Sequence, residues 1–185
     1  MGIRDLDSAR RAEHGGVPMA FVFFWGPKSS GSSGAECLSQ WYESPFDVEG
    51  TTYATAEHFM MAGKARLFGD EEAARRVLAA RTPAEAKNIG RQVRGFDSAV
   101  WDAHRVGIVV AGNVAKFGSD PALRDYLLRT GERVLVEASP LDRIWGIGLR
   151  GDDERALTPS TWRGLNLLGF ALMTARDELA RDDPR

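Results

Sequence analysis

The chain has 185 residues, a formal net charge of −2 and 43% hydrophobic residues. That length suits one domain with a single good core. The small net charge excludes the broad basic footprint of a protein that coats a nucleic-acid backbone, while leaving recognition of one nucleotide in a pocket open.

Cys37 is the only cysteine, so an intramolecular disulfide and a cysteine-based zinc centre are excluded; His14, His58 and His104 lack ligand spacing. No metal and no cofactor are expected. No stretch is apolar enough to span a bilayer, and the charged N-terminus has no signal-peptide core. A reducing cytoplasm is therefore the expected location.

In chain order, residues 1–18 read as a polar N-terminal tail without fixed structure. Ala20 to Trp25, AFVFFW, reads as a short buried strand. Gly26 to Glu36, GPKSSGSSGAE, is a Gly/Ser-rich loop, either a flexible connection or a flap over a site. Phe46 to Val48 and Thr51 to Tyr53 flank Glu49-Gly50, a hairpin turn that needs positive φ at the glycine. Thr55 caps a helix from Ala56 to Phe68. Gly69-Asp70 ends it and starts the next, Glu71 to Ala80. Thr82, before Pro83, caps another that runs to about Arg91. A longer helix spans Ser98 to Phe117, with Trp101, Ile108, Gly112 and Ala115 on its core side. Gly118 closes it, Pro121 opens a helix to Arg129, and Gly131 stops that one.

Arg133 to Ala138, RVLVEA, alternates as a strand does. The loop SPLDRIWGIGLRGDD follows. A last helix runs from about Leu165 to Ala180, with Leu168, Leu172, Ala175 and Leu179 along one face. The pattern is α+β, a single helix-rich domain with a few short strands.

Glu57 and Lys64 lie seven residues apart on one helix, so both leave the same face, which also carries Met60, Met61, Leu67 and Phe68. An acid and an amine on an apolar stripe carry a desolvation cost that pairing or chemistry offsets. Each has a plain structural explanation. A carboxylate is favoured in the first helical turn, and a lysine can lie along apolar surface with its ammonium in water. If functional, the glutamate handles a proton and the lysine attacks a sugar carbon as a Schiff-base nucleophile.

The second candidate is Leu141 to Leu149, LDRIWGIGL. Gly146 and Gly148 permit close backbone approach, Trp145 offers a stacking surface, and Asp142 can bind ribose hydroxyls. The competing reading is a tight turn around a buried tryptophan. Trp41 is the other loop tryptophan suited to stacking a base.

These pieces together resemble the NADAR superfamily, the YbiA-like N-glycosidase fold. The matching strings are FVFFWG, LSQWYESPFDVEGTTYATAEHFMMAGKARLF, VAKFGSDPALRDYLLRTG, VLVEASPLDRIWGIGL and WRGLNLLGFALMTAR, in family order over about residues 20–178. The resemblance implies a NADAR domain at residues 19–180 after the tail. It puts Glu57 at the active-site glutamate position and Lys64 at the helix lysine proposed to capture sugar. Asp142, Trp145, Gly146 and Gly148 match the pocket loop, Asn166 and Gly169 match the closing G-x-N-x-L-G segment, and Gly90-Arg91 matches a Gly-Arg pair.

Gln40 stands where many members carry asparagine. Ile147 stands where the YbiA type has aspartate.

The implied activity is hydrolysis of the bond between ribose C1 and a base nitrogen. The implied substrate is either a phosphorylated ribosylaminopyrimidine of the riboflavin pathway or ADP-ribosylated guanine in nucleic acid. The competing expectation is a sensor domain that holds ADP-ribose or another nucleotide without cleaving it.

Overall fold

The computed structural model describes residues 2–25 and 34–182; most of the Gly/Ser-rich loop, residues 26–33, lies outside the described residues. The helix-rich α+β class with short strands is as the sequence predicts. The chain forms two compact units, Met1–Ser39 with Ala122–Arg185, and Gln40–Pro121.

In the first unit, β1 (Phe21–Phe24) pairs in parallel with β4 (Val134–Glu137), in the register Phe21 to Val134 and Phe24 to Glu137. Phe24 and the three valine and leucine residues of β4 are buried. Helix α6 (Pro121–Arg129) precedes β4, and Gly131 takes φ +57° at the turn between them. Helix α7 (Leu167–Arg181) packs on β4 through Leu168, Leu172, Ala175 and Leu179, the stripe read from the sequence. Arg176 on α7 is buried and ties down the connection between α6 and β4, donating to Thr130 Oγ1 at 2.8 Å and to the Arg133 carbonyl at 3.0 Å.

The N-terminal residues differ from the sequence expectation of a polar tail. Leu6–His14 is a helix, α1, begun by a capping box in which Ser8 N–H donates to Asp5 Oδ1 at 2.7 Å and Asp5 N–H to Ser8 Oγ at 3.0 Å. It is fastened by an Arg4–Asp177 ion pair and by the Glu13 carboxylate, which accepts from the N–H and hydroxyl of Ser160, both at 2.8 Å. Local capping and a few polar ties hold this helix, so hydrophobic periodicity alone does not reveal it.

In the second unit, β2 (Phe46–Val48) and β3 (Thr51–Tyr53) form the expected hairpin, with positive φ at both Glu49 and Gly50. Phe46, Tyr53 and Phe59 cluster under it. Helix α2 (Ala56–Leu67) is central, flanked by α3 (Glu71–Leu78), α4 (Pro83–Gly90) and α5 (Ser98–Ser119). Thr55, Asp70 and Thr82 cap their helices as their positions predict, each accepting from the N–H three residues on. Asp70 also holds Arg94, through its backbone N–H at 2.9 Å and its guanidinium at 2.8 Å.

The buried stripe of α5 is Val109, Gly112, Asn113, Lys116 and Phe117, turned from the stripe expected around Ala115, which is only half-buried. Two polar side chains sit in it, and an apolar-only count passes them over.

Candidate functional site

Glu57 lies in the first turn of α2 and is 2% exposed. Its N–H donates to the Gln40 carbonyl at 3.0 Å, which ties the segment carrying Trp41 to the start of the helix. The neighbouring His58 is spent on structure. Its Nε2 faces the Ala80 carbonyl at 3.2 Å, an oxygen that only accepts, so Nε2 carries the proton and Nδ1 accepts from Thr55 Oγ1 at 2.8 Å. Burial first of all pushes this imidazole below its ordinary value, and the Ala80 contact opposes that shift.

Lys64 is half-buried at the other end of the same helix. Seven residues at 1.5 Å rise put about 10 Å between the Glu57 and Lys64 backbones. The Lys64 ammonium donates to the Gly90 carbonyl at 2.8 Å and lies 4.3 Å from the Phe96 ring centre and 5.5 Å from that of Trp101. It sits on the carbonyl end of α4, where a cation is favoured. Burial lowers its pKa from the usual lysine value. The shared face read from the sequence therefore holds two separate local environments.

Trp41 is half-buried, with the Lys87 ammonium of α4 5.9 Å from its ring centre. Arg91 caps α4 and is exposed, and its guanidinium donates to Asn88 Oδ1 at 3.4 Å.

Lys116 is not among the residues that the sequence singles out. It is 0% exposed, with its ammonium 5.4 Å from the Tyr42 ring centre and 5.0 Å from that of Phe117. One turn earlier, Asn113 donates to Gln40 Oε1 at 3.0 Å and to the Val109 carbonyl at 2.8 Å. Lys116 follows by three residues on α5 the asparagine that holds Gln40, whose carbonyl receives the Glu57 N–H. The signal for it was the three- and four-residue spacing Val109, Asn113, Lys116 within the apolar face of α5.

In the first unit the D-x-x-W-G-x-G loop folds around Asp142. Its Oδ1 accepts from the N–H of Ile144 and of Trp145, both at 2.8 Å, and its carbonyl from Gly148 N–H at 3.1 Å. Trp145 is half-buried, so the loop is not wrapped around a buried tryptophan. The glycines serve the chain's own packing. A Cβ at Gly146 would stand 2.8 Å from the Glu137 carbonyl, and Gly148 takes φ +67° against Arg143 and Arg163.

Asn166 explains why the closing segment accompanies this loop. Its backbone N–H reaches Gly146 O at 3.2 Å, and Leu168 N–H reaches Trp145 O at 3.1 Å. Its side chain pairs with β4 as a neighbouring strand would, accepting from Glu137 N–H at 3.0 Å and donating to the Leu135 carbonyl at 2.9 Å. Read from the sequence as a ligand-binding residue, Asn166 has both ends of its amide on the β4 backbone.

Residues 23–180 match the model of the NADAR domain family, and the chain belongs to that family. It is 40% identical over 163 residues to N-glycosidase R617 of Acanthamoeba polyphaga mimivirus, covering 85% of this chain and 95% of that one. It is 34% identical over 135 residues to the maize riboflavin biosynthesis protein PYRR, chloroplastic, where the match spans 69% of this chain and 20% of the maize protein. The solution structure of Escherichia coli YbiA superposes with a TM-score of 0.67 at 27% identity, covering 88% of this chain and 86% of YbiA. The YbiA of that organism, itself named an N-glycosidase, is 31% identical over 136 residues.

Among the described residues, no helix is long and apolar enough to cross a membrane. No group of three His, Cys, Asp or Glu side chains is arranged to hold a metal ion among them either.

Proposed function

We propose that this protein is an N-glycosidase, a hydrolase that cleaves the bond between C1 of a phosphorylated ribosyl group and a base nitrogen. Family membership and relatives named as N-glycosidases support the activity. The observation that carries the chemistry is Glu57, a carboxylate 2% exposed at the first turn of a helix. A buried carboxyl group delivers or takes a proton efficiently because its environment, not bulk water, sets its acidity.

In the proposed reaction Glu57 protonates the departing base nitrogen. A lysine amine attacks C1 as the C1–N bond breaks and gives up a proton to the Glu57 carboxylate; the bond from C1 to the ring oxygen then breaks, the oxygen takes that proton, and a protonated imine to the opened sugar remains. Water then adds to the imine carbon, releasing the sugar aldehyde and the free amine.

The sequence points to Lys64 as that amine. Its ammonium is drawn to the Gly90 carbonyl, which suits a phosphate-facing or structural cation. Lys116, fully buried and one turn from the Asn113–Gln40 contact, is the better candidate for the imine.

The substrate we propose is a phosphorylated ribosylaminopyrimidine of early riboflavin metabolism, a reading that the name of the maize relative favours. Asp142 Oδ2, which accepts no hydrogen bond among the described residues, suits a ribose hydroxyl.

The test is turnover followed by chromatography and mass spectrometry, with two substrates: 5-amino-6-ribosylaminouracil phosphate, and ADP-ribosylated guanine in single-stranded DNA. Release of base from the first, reduced about 10²- to 10⁴-fold in Glu57→Gln, supports the reading. Release only from the second moves the substrate to ADP-ribosylated DNA. No cleavage of either, with ADP-ribose still bound, replaces the glycosidase with a sensor. Borohydride added during turnover separates the lysines by which peptide gains the sugar mass, and gain on neither excludes the imine.

A further inference from the structure

The first unit contains a cleft of about 200 Å³ lined by Phe23, Phe24, Trp25, Ala138, Arg150 and Asp152, with Gly151 between the last two. It opens at the carboxyl ends of the two parallel strands, since β1 ends at Phe24 and β4 at Glu137. Ligands of parallel sheets gather outside those ends. The volume is below the roughly 300–1,000 Å³ of sites that enclose a whole drug-sized ligand, so it fits one ring system.

Its walls are specific. Phe23, Phe24 and Ala138 are apolar, and Trp25 leaves 48% of its surface exposed at the rim. Arg150 is clamped by Asp152 through two bonds, Nε to Oδ1 at 3.0 Å and Nη2 to Oδ2 at 3.2 Å. Both side chains are largely exposed, so the fork steadies the plane of the guanidinium without removing its charge. A flat, uncharged heterocycle gains an aromatic face, a planar guanidinium edge and free donors.

We infer that this cleft is a subsite for a planar nitrogen heterocycle, with Trp25 as its stacking platform. The inference rests on the glycosidase reading only for the class of compound that carries the ring, a phosphorylated ribosyl compound bearing a nitrogen heterocycle. Trp25 and Arg150 are then specificity-determining residues outside the strings that carry the glutamate and the D-x-x-W-G-x-G loop.

Calorimetric titration in a Glu57→Ala background, which suppresses turnover, tests it. The probes are 5-amino-6-ribosylaminouracil phosphate, ADP-ribose and ribose 5-phosphate. Adding Trp25→Ala should weaken binding of a ring-bearing probe about 5- to 150-fold, the size of one base–aromatic stack, and leave ribose 5-phosphate unchanged. Trp25→Phe should retain most of the affinity, and Arg150→Gln should lose a smaller part. Loss confined to ADP-ribose assigns the cleft to adenine; loss on the aminouracil probe assigns it to the pyrimidine. Equal binding of every probe with and without Trp25→Ala overturns the subsite, as does a parent that binds neither ring-bearing probe better than ribose 5-phosphate. Because Trp25 is half exposed, an unchanged melting temperature confirms that the loss is not one of folding. Turnover by the otherwise native enzyme judges the glycosidase reading separately.

Discussion

Replacing Asn166 by alanine removes one side chain and leaves two backbone groups of β4 without their partners. The Leu135 carbonyl, in a fully buried residue, loses the donor at 2.9 Å, and the Glu137 N–H, at the partly exposed end of the strand, loses the acceptor at 3.0 Å. A buried carbonyl left unpaired costs about 1–3 kcal/mol, and the more exposed N–H about 1 kcal/mol. Asn166 also sits at φ 54°, ψ 35°, a left-handed conformation that asparagine tolerates and alanine does not, worth about 1–2 kcal/mol. The total expected for Asn166→Ala is about 3–6 kcal/mol, a large part of the stability of an ordinary domain.

Two companion variants separate the contributions. Asn166→Gly relieves the backbone cost but not the lost bonds, so it should be about 1–2 kcal/mol less damaging than alanine. Asn166→Asp keeps the acceptor for Glu137 N–H but sets a carboxylate oxygen against the Leu135 carbonyl, and should be at least as damaging as alanine. Urea unfolding followed by circular dichroism reads all three as shifts in midpoint at constant slope. A cost below 1 kcal/mol for alanine, or no difference between glycine and alanine, refutes the strand-mimic account.

Two further outcomes follow from the geometry. Gly169→Ala would drive its Cβ into the Leu135 carbonyl and the Asn166 amide, both rigidly held, so the unfolding free energy should drop by about 1–3 kcal/mol or more; a neutral result means that α7 can shift away from β4. Side-chain hydrogen bonds from Arg94 chiefly, helped by the backbone N–H groups of Arg94 and Ala73, hold the Asp70 carboxyl well below the usual carboxylate range. Its folded value lies beneath the unfolded value of about 3.9, so its stabilisation is complete above that pH and is lost as pH falls through the folded value. The stability gap between wild type and Asp70→Asn should therefore narrow as pH is lowered from about 6 to 2, and a constant gap in urea titrations would count against the clamp.

The sequence is legible where local chemistry decides the structure. Thr55, Asp70 and Thr82 cap helices because a short polar side chain beside a first turn has one obvious use, and Glu49-Gly50 turns because few pairs accept two positive φ values. It is less legible where a residue's task depends on a partner far along the chain. Asn166 reads as a ligand residue because nothing near it in sequence shows that β4 takes its side chain, beside the Ile147 N–H, in place of a further strand. Lys116 is passed over because a lysine reads as solvated until the packing around α5 is known. The Glu57–Lys64 pair shows the opposite error. Helical periodicity correctly gives a common face, but it carries no information about the Gly90 carbonyl that draws the ammonium away. Trp25 ends the first strand string, and its cleft needs Ala138 and Arg150 from the other end of the chain.

Near Glu57 the protein accepts a stability cost that a purely structural core would avoid. Asn113 Nδ2 donates to two oxygens, Gln40 Oε1 and Val109 O, so its orientation is fixed, and with it that of the Gln40 amide. The remaining ends, Gln40 Nε2 and Asn113 Oδ1, are buried and have no partner among the described residues. Each such atom costs about 1–3 kcal/mol, whereas an apolar pair of similar shape costs nothing comparable. Gln40→Leu combined with Asn113→Leu should therefore fold with stability within about 1 kcal/mol of wild type, or above it. Asn113→Leu alone strands the whole Gln40 amide and should be about 2 kcal/mol less stable than the double variant. If these amides are kept for function, the double variant should be the folded but inactive one. A double variant that loses more than about 3 kcal/mol shows instead that the amide pair is a structural clasp, and one that folds and turns over normally leaves the two buried amide ends without a catalytic purpose.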